Sequence, residues 1–187
     1  METPTAFERS RPVRARRAIR RFALVALILA ARASGAAAAE GPSAAIFDLD
    51  FTDTSPAASG EHQEEMRRLA LVSDTLRRML SERGITAIDL SPARERIQKA
   101  APLTRCNGCE LDLARDLGAE LAVTGLVQKV SNLILNFNVA VREVRSGRTI
   151  RAGSVDIRGN TDESWLRGMS YLVRNRLSDP PIRLSEP

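Results

Sequence analysis

Cys106 and Cys109 are the only cysteines of the 187-residue chain, and their Cys-Asn-Gly-Cys spacing allows a dithiol–disulfide couple. Just before a helix, backbone N–H groups and the helix dipole lower a thiol pKa, which is the condition for redox activity. The residues ahead of the pair, Pro102-Leu103-Thr104-Arg105, do not read as an apolar strand, and no aromatic residue precedes Cys106. The expected state is a small structural disulfide that pins the helix entrance, because neighbouring thiols outside the cytoplasm oxidise by default. Two sulfurs and one distant histidine do not make a four-ligand metal site. That histidine, His62, is the only candidate base for Ser–His or Cys–His catalysis, and its polar surroundings read as an exposed loop. Asp48 and Asp50 alternate with apolar residues and read as outward carboxylates, solvated or paired with arginines. Asn136, Asn138 and Arg142, with Ser154, Asp156 and Arg158, read as a polar face that is either solvated or the docking surface of a partner.

Periodicity predicts the elements that position these residues. Residues 44–51 set Ala45, Phe47, Leu49 and Phe51 against Ile46, Asp48 and Asp50, a period of two that predicts a first strand. Leu69, Val72, Leu76, Met79 and Leu80 predict a helix over 64–83, ended by Gly84. A short strand over 85–90 follows, and Ser91-Pro92 opens a second helix, with serine as N-cap and proline at the first helical position. A third helix covers 110–117 and closes at Gly118. Residues 121–130 read as a strand, and 133–144 as the clearest half-buried one, with Leu133, Leu135, Phe137, Val139 and Val141 on its inner side. Arg145-Ser146-Gly147-Arg148 turns the chain into a strand over 149–158. Asn160 is predicted to cap the last helix, with Glu163 completing a capping box and Trp165 as a core anchor. The order βαβααβββα predicts an α/β (α+β) fold: a mixed sheet ending in an antiparallel meander, with helices packed on one face.

Residues 1–39 are unlike the rest. Seven arginines from Arg9 to Arg21 lead into an apolar run over 22–31, and Ala37-Ala38-Ala39 precedes Glu40. This is the succession of a signal peptide, expected to be cleaved after Ala39 and to deliver the protein to the periplasm. The apolar run is about half of the roughly 20 residues a membrane span needs, so no permanent membrane anchor is expected. The expected organisation is a signal peptide over 1–39, one domain over 40–178 and a proline-containing tail over 179–187. The precursor's net charge of +5 suggests nucleic acid, but 1–39 holds 8 of the 28 basic residues and 2 of the 23 acidic ones. The remainder has 20 against 21, a net charge near −1, and no arginine–aromatic grouping, which argues against nucleic acid as a partner.

Two resemblances bear on function. Ile46-Phe47-Asp48-Leu49-Asp50-Phe51-Thr52-Asp53-Thr54 resembles the first motif of the haloacid-dehalogenase-type phosphatases. That resemblance implies Asp48 as nucleophile on phosphorus, Asp50 as the acid that protonates the leaving group, and magnesium beside both. The chain departs from the family at Phe51, where a glycine is usual, and it has no later acidic pair. Neither of its lysines, Lys99 and Lys129, stands in that family's lysine motif. The second resemblance rests on Leu117-Gly118-Ala119-Glu120-Leu121-Ala122-Val123-Thr124-Gly125, the long strands split by a Ser-Gly turn, and the helix over 160–177. These are similar to the α/β domains of bacterial envelope proteins, the N-terminal domain of TolB and the curli secretion lipoprotein CsgG. More closely, the chain resembles an uncharacterised proteobacterial family of secreted proteins with the same first strand, Cys-x-x-Cys and Trp-bearing last helix, over about 44–178. This implies an interaction module for an envelope or periplasmic protein, without catalytic residues, cofactor or metal. Its candidate partner-binding residues are Asn136, Asn138 and Arg142. The competing readings are a phosphatase using Asp48 and Asp50, and a thiol–disulfide protein using Cys106 and Cys109.

Overall fold

Ala44, Ala45, Ile46 and Phe47 are all at most 1 % exposed, so the first strand is covered on both sides rather than one. The computed structural model describes residues 41–56 and 62–184, and the predicted signal peptide lies outside the described residues. Glu40–Pro187 forms one unit. Its strands are β1 (Ser43–Ile46), β2 (Asp50–Asp53), β3 (Thr86–Ala87), β4 (Leu121–Lys129), β5 (Ile134–Glu143) and β6 (Thr149–Arg158). They form a mixed sheet of order β3–β1–β4–β5–β6, with β2 continuing the line of β1 along β4. β1 pairs in parallel with β3 and β4, and β4, β5 and β6 form the antiparallel meander. The fold is therefore the mixed α/β arrangement that the periodicity predicts.

The helices are α1 (Gln63–Ser81), α2 (Arg94–Ala100), α3 (Cys109–Asp116) and α4 (Asp162–Leu172). Their placement differs from the prediction, because they occupy both faces. One core sets Ile46, Val123 and Phe137 against Leu76 and Leu80 of α1 and Trp165 and Met169 of α4. The other sets Ala45, Phe47 and Ala122 against Leu103 and against Leu111 and Leu113 of α3. Neighbouring residues of one strand thus serve opposite cores. The cause lies in the strand order: the crossover from β1 to β3 moves one way along the sheet, and that from β3 to β4 moves back past β1. Two right-handed crossovers of opposite direction put their helices on opposite faces. Among the described residues no helix is long and apolar enough to cross a membrane.

The first strand also differs from a plain alternation. Ile46 pairs with Val123 and Asp50 with Leu126, so the chain takes one more step than β4 between those points. A one-residue bulge reverses the alternation. Phe47 accordingly faces the second core, whereas Leu49 and Phe51 face the first. At the other end, Leu133 falls outside β5 and is 72 % exposed, while Leu135, Phe137, Val139 and Val141 are buried as predicted. The strand predicted over 85–90 is reduced to β3, and Ser91-Pro92 begins a 3-10 turn ahead of α2 rather than the helix itself. Thr161, not Asn160, caps α4: its hydroxyl accepts from Ser164 N–H while Ser164 Oγ accepts from Thr161 N–H.

Candidate functional site

The bulge decides the fate of the two aspartates. Asp48 lies on the α1 side, largely exposed and ion-paired with Arg77, which also holds Asp74 Oδ1 at 2.7 Å. Asp50 points to the other side, where its carboxylate accepts from Leu103 N–H at 3.3 Å, Thr104 N–H at 2.7 Å and Thr104 Oγ1 at 2.6 Å. It caps the 3-10 turn Leu103–Arg105 from across the sheet, a role that local sequence does not reveal. Two carboxylates committed to separate partners on opposite faces do not converge on one phosphorus. Asp50→Ala is expected to cost about 1 kcal/mol, the value of a lost N-cap. Asp48→Ala is expected to stay within about 0.5 kcal/mol, since its ion pair is exposed. Urea unfolding of both variants checks the difference.

Cys106 and Cys109 are joined by a disulfide with Cα atoms 5.5 Å apart. The loop between them closes because Asn107 and Gly108 both take positive φ, which Asn and Gly adopt most readily. Glu110 is the next residue, and its Oε2 lies 3.4 Å from Cys106 Sγ. Among the described residues, these two sulfurs and Glu110 are close enough together to hold a metal ion, but both sulfurs are spent in the S–S bond.

The disulfide loop and the start of α3 form one wall of a groove of about 670 Å³ over the sheet. Thr104, Asn107 and Glu110 line that wall, and Thr124, Asn138, Arg142 and Ser154 lie on the floor. The groove brings Arg142 and Asn138 beside the disulfide. Arg142 is ion-paired with buried Glu110, and its Nη2 and Nε donate to Gly147 carbonyl at 2.8 and 3.1 Å, tying α3 to the β5–β6 turn. Asn136 Nδ2 donates to Asp156 Oδ1 at 2.7 Å and Ser154 Oγ at 2.9 Å, and Asn138 donates to Asn136 Oδ1. Asparagines are depleted in strands, and here their amides are used in a cross-strand ladder. The ladder is preorganised and half-exposed, so its remaining donor and acceptor positions face the groove side of the sheet.

A second cluster was not predicted. Lys129 Nζ lies 2.8 Å from Glu65 Oε1 and 3.4 Å from Asp53 Oδ2, and all three side chains are at most 10 % exposed. Asn160 Nδ2 donates to the same Glu65 oxygen at 2.9 Å, and its Oδ1 accepts from the Trp165 indole at 2.9 Å. That duty is why Asn160 does not cap α4. His62, predicted to be an exposed loop residue, is half-buried, 3.7 Å from Asp53 and against the ring of Phe51. The signal that could have found the cluster is register: Lys129 continues the inward series Leu121, Val123, Val127 of β4. A lysine there needs a buried counter-charge.

Burial pushes the Asp53 carboxyl up, but hydrogen bonding from Ser55 and the nearby charge of Lys129 outweigh it, and the net shift is downward. For Glu65 burial is again outweighed, by hydrogen bonds from Lys129 and Asn160. The hydrogen bond to Glu65 raises Lys129 against the opposing effect of burial. Depressed carboxyl values mean that the unfolded chain binds more protons, so their stabilisation is complete above the unfolded values and is lost as pH falls through the folded ones. The raised lysine contributes fully below its unfolded value and is lost only at strongly alkaline pH. Stability is therefore expected to fall progressively below about pH 4. The acid limb is expected to be shallower in the double variant Asp53→Asn, Glu65→Gln, as read by thermal unfolding from pH 3 to 8.

The chain is similar to the LpoB C-terminal domain from Escherichia coli, with 17% identity over 70% of this chain and 93% of that chain and a TM-score of 0.46. It is similar to the PelC dodecamer from Paraburkholderia phytofirmans, with 11% identity over 72% of this chain and 86% of that chain, TM-score 0.46. It is also similar to lipoprotein GNA1162 from Neisseria meningitidis, with 16% identity over 65% of this chain and 83% of that chain, TM-score 0.44. No curated protein matches the sequence. The family DUF3280, described as protein of unknown function (DUF2380), matches residues 42–177, a stretch that contains the bulged first strand, the disulfide loop and the Trp165 helix. The chain belongs to the DUF3280 family.

Proposed function

We propose that this protein is an exported, non-enzymatic binding module of the periplasm that takes an envelope or periplasmic protein on the open face of its sheet, at Asn136, Asn138 and Arg142. The observation that carries this reading is the groove beside the disulfide, whose floor takes in Arg142 and, through Asn138 and Ser154, one end of the preorganised polar ladder, with no helix laid across it among the described residues. The separation of Asp48 from Asp50 and the bonded state of Cys106 and Cys109 favour it over phosphatase or thiol–disulfide chemistry. The arginine-rich, apolar and alanine-rich succession over 1–39 supports export. The likeness of the 117–125 segment to the TolB and CsgG envelope domains belongs to the same reading.

The test is capture of partners on the mature protein from a periplasmic extract, with in-situ cross-linking and mass spectrometry. Joint replacement Asn136→Thr, Asn138→Thr, Arg142→Lys is expected to weaken the captured complex at least tenfold, whereas Asp48→Asn leaves it intact. A folded triple variant that captures the same partner equally well would show that the face is not the site.

A further inference from the structure

β6 is the outermost strand of the sheet, ten residues long and paired on one side only, with β5. Among the described residues no main-chain hydrogen bond joins another segment to its outer side. The opposite edge is the two-residue β3, which offers almost no template. An open edge of this length is usually blunted by charge or covered, because its free N–H and C=O groups accept another strand.

The charge around this edge is predominantly positive, although Asp156 stands on the outer face of β6, where it accepts from Asn136, and Asp179 is exposed beyond α4. From 145 to 184 the sequence holds eight arginines and four acidic residues, although the rest of the chain beyond residue 39 is acidic. Asp162 is matched by Arg67 and Arg68, and Glu163 by Arg167. Arg151, Arg176 and Arg158 are spaced along β6, and among the described residues none of them has a carboxylate partner. Arg151 meets only the neutral carbonyls of Ile150 and Pro180, and its buried Nε has no acceptor. It shares a cleft of about 280 Å³ with Arg183. Arg176 lies against the middle of β6, where a Cβ on Gly153 would stand 2.6 Å from its own Cβ. Arg158 closes the strand and is exposed on the opposite, groove-facing side.

We infer that the β6 edge binds an extended acidic polypeptide segment of a partner by strand addition, with main-chain hydrogen bonds to β6 and carboxylates on Arg151 and Arg176, which share the α4 side of the sheet. Backbone pairing supplies affinity without sequence demand, and the arginine rim selects acidic strands over neutral or basic ones. The inference rests on the reading that this domain binds a protein, and it assigns that protein's chemistry at a surface adjoining the polar face.

A synthetic ten-residue peptide alternating glutamate and valine is the probe, titrated by calorimetry against residues 40–187, with hydrogen exchange of the β6 amides. Saturable binding and slowed exchange in β6 are expected. The lysine–valine peptide is expected not to bind, and N-methylation of alternate residues of the acidic peptide is expected to abolish binding without altering the protein. Arg151→Glu with Arg176→Glu is expected to weaken binding at least about tenfold. Should that pair impair folding, Arg176→Glu alone, at an exposed position, is expected to weaken it several-fold. Unchanged β6 exchange, undiminished binding of the N-methylated peptide, or equal binding of the lysine peptide overturns the inference. So does binding to phosphatidylglycerol vesicles in place of the peptide. If the peptide fails while the Asn136, Asn138, Arg142 variant loses its captured partner, the edge inference alone falls. If the peptide binds while that variant keeps its partner, the polar-face reading falls.

Discussion

Lys129→Ala is expected to destabilise the protein by about 3–5 kcal/mol, because it leaves two carboxylates buried without a cation. For a domain of this size that corresponds to a melting temperature lower by roughly 10 °C. The magnitude follows from burial: Lys129, Asp53 and Glu65 are nearly closed to solvent, so water cannot replace the lost ammonium without opening the base of α1. Glu65 keeps its bond from Asn160, whereas Asp53 Oδ2 already has no hydrogen-bond donor and depends on the charge of Lys129 and on His62 nearby. The triple variant Lys129→Met, Asp53→Asn, Glu65→Gln removes every charge together and is expected to cost much less than Lys129→Ala alone, since the penalty belongs to the orphaned charges rather than to the lost pair. Thermal and urea unfolding of the two variants decide it. Equal losses would mean that the cluster is solvated in the folded protein.

Trp165→Ala is expected to cost about 3–5 kcal/mol, the range for removing a large aromatic from a packed core. The side chain is fully buried and meets the Phe137 ring edge-on, with centroids 5.4 Å apart and planes at 69°. It joins α4 to the inner face of β5. Trp165→Phe fills most of the space but orphans the Asn160 carbonyl, which loses the indole N–H, and is expected to cost about 1–3 kcal/mol. Asn160 also bonds Glu65, so the Trp165 and Lys129 substitutions act on one connected network. Their effects are expected to be non-additive by about 0.5 kcal/mol or more in a double-mutant cycle. Strict additivity would mean that Asn160 transmits nothing between the indole and the ion cluster.

The meander was legible in the sequence because one face of β5 and β6 is open. Under that condition the inner positions Leu135, Phe137, Val139 and Val141 stand out against polar neighbours, and 149–158 coincides with β6. Asn136, Asn138 and Arg142 were placed on the outer face by the same alternation, and the groove beside them was not, because its other wall comes from the 103–110 loop. The bulge after Phe47 was illegible, since one extra residue leaves no trace in composition and yet sends Asp48 and Asp50 to different sides. Asn160 and Thr161 are adjacent residues that both cap helices well, and the choice between them was made by Glu65 and Trp165. The ion cluster joins Asp53, Glu65 and Lys129 across two strands and a helix, and periodicity assigns a face without naming the partner waiting there.

The sheet has helices on both faces at β1 and on one face at β6, and this grading has a consequence for how freely the sequence can drift. In β1 each side chain abuts a packed layer, so Ala44-Ala45-Ile46-Phe47 tolerates neither a polar group nor added bulk at any of four consecutive positions. Along β6 every second position, from Ala152 through Ser154 and Asp156 to Arg158, looks away from the core and answers only to strand propensity and to whatever docks there. A saturation-mutagenesis scan scored for folding alone would return an unbroken block of intolerance at β1 and an alternating one at β6. The same scan scored for binding would differ from it only where the outer positions of β6 carry a second constraint.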